Sequence, residues 1–296
     1  MGSTGQLIVE TDKYHFPFKE KFIFYKKNSE ENQARVEFKE MQRDEIPYLC
    51  FSIKAKKSFR ENSDQFLKQY MAHMIYHFIV TYMSDFLLES LIKRYYSYFN
   101  QSEREIILHL TLHKISEQNS RKKISEAKSH IIERLQEYFQ ENSYINLEGF
   151  VHFRLKKYLA DLKYCVESTI DEFLMEQEYQ EFLKLLKYFV TLQEPKIDQV
   201  HITVDHEGNF QVRDSELQLI EHNFQEDSGF SFFNTRGQKE DFVISFLVNF
   251  APRKIVVHQV LCYHYPKTVE AILNIFNERV EICKKCKLCK RQRIQL

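Results

Sequence analysis

The chain has no tryptophan, only five prolines and six glycines, and no net charge over its 296 residues. Balanced acidic and basic side chains leave no global field to draw in nucleic acid or an anionic membrane, so such a role needs a local patch. The scarcity of glycine leaves no GxGxxG, no P-loop and no GxSxG turn, which argues against nucleotide binding or hydrolysis through the common loops. The longest apolar run, Met71 to Ile92, is broken by His73, His77, Asp85 and Glu89. A spanning helix needs roughly 20 mostly apolar residues, so a buried helix is expected there instead. The opening MGSTGQL lacks the basic and apolar regions of a secretory signal. Six cysteines in that setting point to a reducing compartment and not to a disulfide framework. A soluble, cytoplasmic protein is the expectation.

What the chain does have is aromatic surface to bury: 26 Phe and 17 Tyr, enough to fill a core and to argue against disorder. Its length suits two or three compact units. Proline is absent between Pro47 and Pro195, and Gly149 is the one glycine in that interval, so the middle of the chain lacks the usual helix punctuators. The expected fold class is α+β. A central, mostly antiparallel helical bundle (residues 61–193) is flanked by an N-terminal β-sheet unit (1–60) and a C-terminal α/β unit with a Cys-rich basic tail (194–296).

In the first unit LIVET, KFIFYKK, ARVEFKE and PYLCFSI read as short strands of an antiparallel sheet. Asn62 or Ser63 then caps a long helix whose apolar residues come in pairs every four positions, from Phe66/Leu67 to Phe86/Leu87. Ser102 with Glu105 forms a capping-box pattern for a second helix, and Ile124, Ile131, Leu135 and Phe139 mark a third. Residues 145–195 supply one long helix or two consecutive ones. Leu155, Leu162, Val166, Ile170 and Phe173 line one face, continued by Phe182, Leu186 and Phe189. Past Pro195 the period changes. VHITV, the turn DHEGN and FQVRD read as a hairpin, with Gly208 free to take a positive φ. A helix from Asp241 to Phe250 follows, then strand (Lys254 to Val260), helix (Thr268 to Phe276) and strand (Arg279 to Ile282).

The chemistry concentrates in Cys283-Lys-Lys-Cys286-Lys-Leu-Cys289. Two-residue spacers let thiolates converge on one ion, as in zinc and iron–sulfur sites, and zinc is preferred because the usual fourth-cysteine spacing is missing. If the last two strands pair in parallel, they finish on one edge and bring Cys262 near Cys283, with His258 and His264 as further options. The plain alternative is a flexible tail with incidental cysteines. Lys284, Lys285 and Lys287, with Lys290, Arg291 and Arg293, make the tail basic. That suits phosphate or nucleic acid by counterion release, or simply a solvated terminus. The pairs His73/His77 and His109/His113 share helix faces but lack the Glu of a zinc-protease motif, and a polar helix border is the simpler account. Arg154 is a candidate anion or partner contact. An ion pair with a neighbouring helix, or a wet helix face, is the preferred reading.

GFVHFRLKKY (149–158), EQEYQEFLKLLKYFV (176–190), APRKIVVH (251–258) and the terminal cysteines together resemble the YtxC-like family of sporulation proteins. The resemblance implies a sporulation setting and a protein partner in sporulating cells, and no chemistry. A non-enzymatic interaction or regulatory protein is therefore expected first. A zinc-dependent module binding protein or nucleic acid through its tail comes second, and an enzyme of unfamiliar type third.

Overall fold

The computed structural model describes residues 5–11, 13–28, 34–43, 46–55, 63–119, 123–205, 207–220, 239–284, 286 and 289. The fold is α+β with a helical core, as expected, and it carries two small mixed sheets. The chain forms two compact units, Met1–Phe173 and Leu174–Leu296. The sequence changes texture at 60 and 193; the structure divides at 173.

In the first unit, β1 (Gln6–Glu10), β2 (Ala34–Arg43), β3 (Ile46–Ala55) and β4 (Tyr144–Asn146) form a sheet of order β2-β3-β1-β4. β1 and β2 pair with β3 antiparallel, as the alternation predicts. β4, three residues drawn from far along the chain, joins β1 in parallel, so the sheet is mixed and not purely antiparallel.

KFIFYKK is not a strand. It lies in helix α1 (His15–Asn28). Phe16, Phe18, Phe22 and Phe24 would all share one face of a strand, because side chains alternate there with period two. In the helix they separate: Phe18 and Phe22 are buried, whereas Phe16 and Phe24 are exposed. The buried pair meets Phe51 edge-on, with ring centroids 6.3 and 4.8 Å away. The hydrogen bond of His15 and the ion pair of Lys19 with Glu40 tie α1 to β2.

Ser63 opens α2 (Ser63–Phe78); Asn62 lies outside the described residues. A π-helical turn at Ile79–Met83 and α3 (Ser84–Tyr95) follow without a break. Strict four-residue spacing drifts around an α-helix of 3.6 residues per turn, and the wider π turn absorbs the drift. Leu67, Met71, Ile75, Ile79 and Met83 therefore all stay buried. Beyond the π turn the stripe resumes at Leu88 and Ile92, while Phe86, predicted to continue it, is exposed.

The cap of α4 (Gln101–Asn119) sits two residues earlier than Ser102/Glu105 suggests. The Glu103 amide donates to Asn100 Oδ1 at 3.0 Å, and the Asn100 amide donates to Glu103 Oε2 at 2.8 Å. α5 (Lys123–Glu141) buries Ile131, Leu135 and Phe139; the side chain of Ile124 is outside the described set. The next region is two helices, α6 (Leu147–Arg154) and α7 (Lys156–Leu192). Asn146 caps the first by accepting from the Gly149 amide at 2.8 Å. Along α7 the buried face runs Leu162, Val166, Ile170 and Phe173, then passes to Leu183 and Val190; Phe182 and Phe189, expected to continue it, are exposed.

The first unit has two apolar clusters. One joins the sheet to α1, α2, α5 and α6, and the other gathers Leu88, Ile92, Phe99, Ile107 and the first half of α7.

In the second unit, β5 (Gln199–Val204), β6 (Phe210–Arg213), β7 (Lys254–Val257) and β8 (Val280–Ile282) form a sheet of order β6-β5-β7-β8. β5 and β6 make the predicted hairpin, with Gly208 at φ 77°. β7 pairs in parallel with both β5 and β8. α8 (Lys239–Phe250) packs on this sheet. β7 ends at Val257, earlier than predicted, because the chain turns into a short helix, α9 (Gln259–His264). α10 (Pro266–Phe276) begins on a proline, which needs no amide partner at a helix start. No helix among the described residues is long and apolar enough to cross a membrane.

Candidate metal centre

Parallel pairing decides where the C-terminal cysteines go. β7 and β8 end on the same edge, so the residue after each strand lies beside the other. Those residues are His258 and Cys283. The Cys283 amide donates to the Val257 carbonyl at 2.9 Å, and the His258 amide donates to the Ile202 carbonyl of β5 at 3.0 Å. Backbone bonds therefore fix both residues before any side chain is considered.

From Cys283 the chain curls back. The Cys286 amide donates to the Cys283 sulfur, and Cys286 and Cys289 close over the His258 ring. His258 Nδ1 lies 3.3 Å from Cys286 Sγ and 3.4 Å from Cys289 Sγ. Cys289 Sγ is 3.9 Å from both Cys286 Sγ and Cys283 Sγ. All four potential ligand atoms fall within 4.8 Å of one another, the one such group among the described residues. A tetrahedral ion with Zn–S bonds of about 2.3 Å and a Zn–N bond of about 2.0 Å sets sulfurs about 3.8 Å apart, and sulfur about 3.5 Å from nitrogen. The separations fit one small ion. Disulfides need sulfurs about 2.05 Å apart, and a [4Fe–4S] cluster spreads its cysteines over different irons.

The environment favours a neutral imidazole. Burial lowers the His258 pKa to about 4, helped by His201 and by the Arg213 guanidinium. At neutral pH the ring therefore offers a lone pair. Burial pushes the Cys283 thiol up to about 11, and the neighbouring sulfurs add to this. A metal must displace that proton, so binding releases acid and weakens as pH falls.

Cys283, Cys286 and Cys289 converge as the spacing predicts. The fourth member of the group is His258, which the strand–helix–strand reading offered as an option beside Cys262. Cys262 is one turn into α9, where it packs against the apolar cluster of this unit and lies outside the four-residue group. The neighbouring strand adds two residues that the sequence reading passed over. His258 Nε2 is 3.2 Å from His201 Nδ1, and His201 Nε2 is 2.8 Å from the Gln199 amide. Their only sequence signal is that 199 and 201 share a strand face.

Of the basic tail, Lys284 is described and exposed; Lys285 and Lys287 lie outside the described residues. Arg154, at the end of α6, is exposed with its guanidinium 6.0 Å from the Tyr138 ring centroid. It makes no ion pair among the described residues, which matches a wet helix face. His73 and His77 are exposed, with Thr81 3.2 Å from His77 Nδ1, as a polar helix border would be.

The model of the YtxC-like family matches residues 69–281. The chain belongs to the YtxC-like family. The uncharacterized protein YtxC of Bacillus subtilis (strain 168) is 28% identical over 229 residues, covering 73% of this chain and 77% of that one. No solved structure matches the chain. The span matched to the YtxC-like family includes Gln199, His201 and His258 and stops two residues before Cys283.

Proposed function

We propose that this YtxC-like protein is a non-enzymatic interaction or regulatory protein, acting in the cytoplasm of sporulating cells, whose C-terminal unit is organised by one bound zinc ion. The observation that carries the zinc reading is the approach of three sulfurs and one imidazole nitrogen at separations suited to a single tetrahedral ion. Four protein donors complete the coordination shell and leave no open position for water or substrate, which favours a structural over a catalytic ion. The ion would fasten the chain after β8 to the end of β7. The family resemblance is what supports the sporulation setting and the protein partner.

Elemental analysis of protein purified without oxygen tests the metal reading. One zinc per chain is expected, retained by Cys262→Ser and lost by Cys283→Ser, Cys286→Ser, Cys289→Ser and His258→Ala. Near-zero zinc in the wild type would remove it. A tagged pull-down from sporulating cells, compared with vegetative cells, tests the interaction reading. Equal recovery from both would refute a sporulation-specific partner.

A further inference from the structure

His201 and Gln199 extend the four-residue group through a chain of hydrogen bonds. His258 presents Nδ1 to the thiols and Nε2 to His201 Nδ1, at 3.2 Å; His201 Nε2 in turn meets the Gln199 side-chain amide at 2.8 Å. A neutral imidazole has one N–H and one lone pair. Each ring can therefore only pass a hydrogen bond along, donating at one nitrogen and accepting at the other.

Two self-consistent directions exist. With thiols and no ion, the Gln199 NH2 donates to His201 Nε2, His201 Nδ1–H donates to His258 Nε2, and His258 Nδ1–H points at the sulfurs of Cys286 and Cys289. A metal on His258 Nδ1 forbids that arrangement. The His258 proton must then sit on Nε2 and be donated to His201 Nδ1. His201 must carry its own proton on Nε2, and Gln199 must turn its amide to present Oε1. No proton is gained or lost in the relay: each ring changes tautomer, and the amide rotates by half a turn.

We infer that His201 and Gln199 are positioning residues for the metal ligand, forming a relay that reverses direction when zinc binds and holds His258 as the Nε2–H tautomer. The inference rests on the zinc reading above. It adds that metal affinity depends on two residues that never touch the ion. Partners that orient a ligating histidine are worth about 10–100-fold in metal affinity.

The test pairs chelator-competition measurements of zinc affinity with ¹⁵N NMR of the imidazoles, with and without zinc. His201→Phe keeps a flat ring but removes the acceptor, and should weaken zinc about 10–100-fold. His201→Gln, whose Oε1 can accept from His258, should recover most of the loss. Gln199→Glu, a permanent acceptor, should bind zinc at least as well as wild type. In the wild type, zinc should move the protons of both His258 and His201 from Nδ1 to Nε2. If wild type binds zinc while His201→Phe stays within about twofold of it, or if the His201 proton remains on Nδ1 with zinc bound, the relay is wrong and the metal site stands. If wild type takes up no zinc, both fall. Should His201→Phe fail to fold, His201→Gln and the wild-type tautomers still decide the matter.

Discussion

Helix α1 provides a discriminating test, because the alternative strand makes the opposite forecast for one residue. Phe22 is fully buried, with Phe51, Phe38 and Tyr70 edge-on at centroid distances of 4.8, 5.3 and 6.4 Å. Truncating a buried Phe to Ala costs about 3–5 kcal/mol, and edge-on ring pairs add about 0.5–1.5 kcal/mol beyond area alone. Phe22→Ala should therefore fall in the upper part of that range, at about 4–5 kcal/mol. Phe24 is 63% exposed, with Lys21 Nζ 5.9 Å from its ring centroid. An exposed contact of that kind is worth about 1 kcal/mol or less, so Phe24→Ala should cost no more. Urea unfolding followed by far-ultraviolet circular dichroism gives both values, and the lack of tryptophan makes dichroism the better signal. A gap of about 3 kcal/mol between the variants is the expected result. Comparable costs for the two, with Phe24→Ala above about 2 kcal/mol, would restore the strand and refute the helix.

Zinc at a thousandfold excess over its dissociation constant should stabilise the second unit by about 4 kcal/mol, read as a chelator-sensitive melting transition. A transition in the first unit that moved equally would contradict this, since the four ligands all lie in the second. The metal-free protein should lose stability as pH falls from about 6.5 to 4. Over that window the unfolded chain protonates His258 while the fold, holding its pKa at about 4, does not. Melting temperatures of wild type that fall no more steeply than those of His258→Asn would rule this out. Above about pH 9 the sign reverses for Cys283, whose thiol is raised to about 11 in the fold and so favours the folded state only while protonated. Gly149→Ala places its Cβ 3.0 Å from Asn146 Oδ1, an atom held by the Gly149 amide while Asn146 Nδ2 is anchored on Glu10. The crowding should outweigh the helix-propensity gain and cost about 1 kcal/mol, measurable by thermal melting.

Where one face of a long helix does the burying, the residues announce it. α2, α5 and the first half of α7 were legible from their apolar spacing, as were the β5–β6 hairpin and the three convergent cysteines. The misreadings share a cause: long-range partners chose the outcome. In α1, Phe22 and Phe24 of KFIFYKK suit one face of a strand until Phe51 is there to receive the first of them alone. β4 is only three residues long and exists because β1 offers it an edge. Phe182 and Phe189 obey the same helical period as Leu183 and Val190, and the β5–β7 sheet selects the second pair. In the candidate metal centre, His258 was visible from its place after a strand. His201, 57 residues away from it, becomes its neighbour only through the parallel pairing of β5 with β7.

The π turn at Ile79–Met83 acts as a phase shifter in an otherwise continuous rod. Upstream, Met71, Ile75 and Phe78 serve the cluster built on the first sheet; downstream, Leu88 and Ile92 serve the cluster shared with α4 and α7. The wider turn takes up the rotation that one surplus residue would otherwise add, so a single helix serves both clusters. Wound as an ordinary α-helix, the same residues would carry Leu88 and Ile92 about 100° away from their pocket; with one residue fewer, a regular helix would keep both facing it. Length changes in this stretch are thus constrained by angle and not by space: a one-residue deletion should turn the π segment into an α turn and be accommodated, whereas a further insertion would swing the downstream residues out of their cluster.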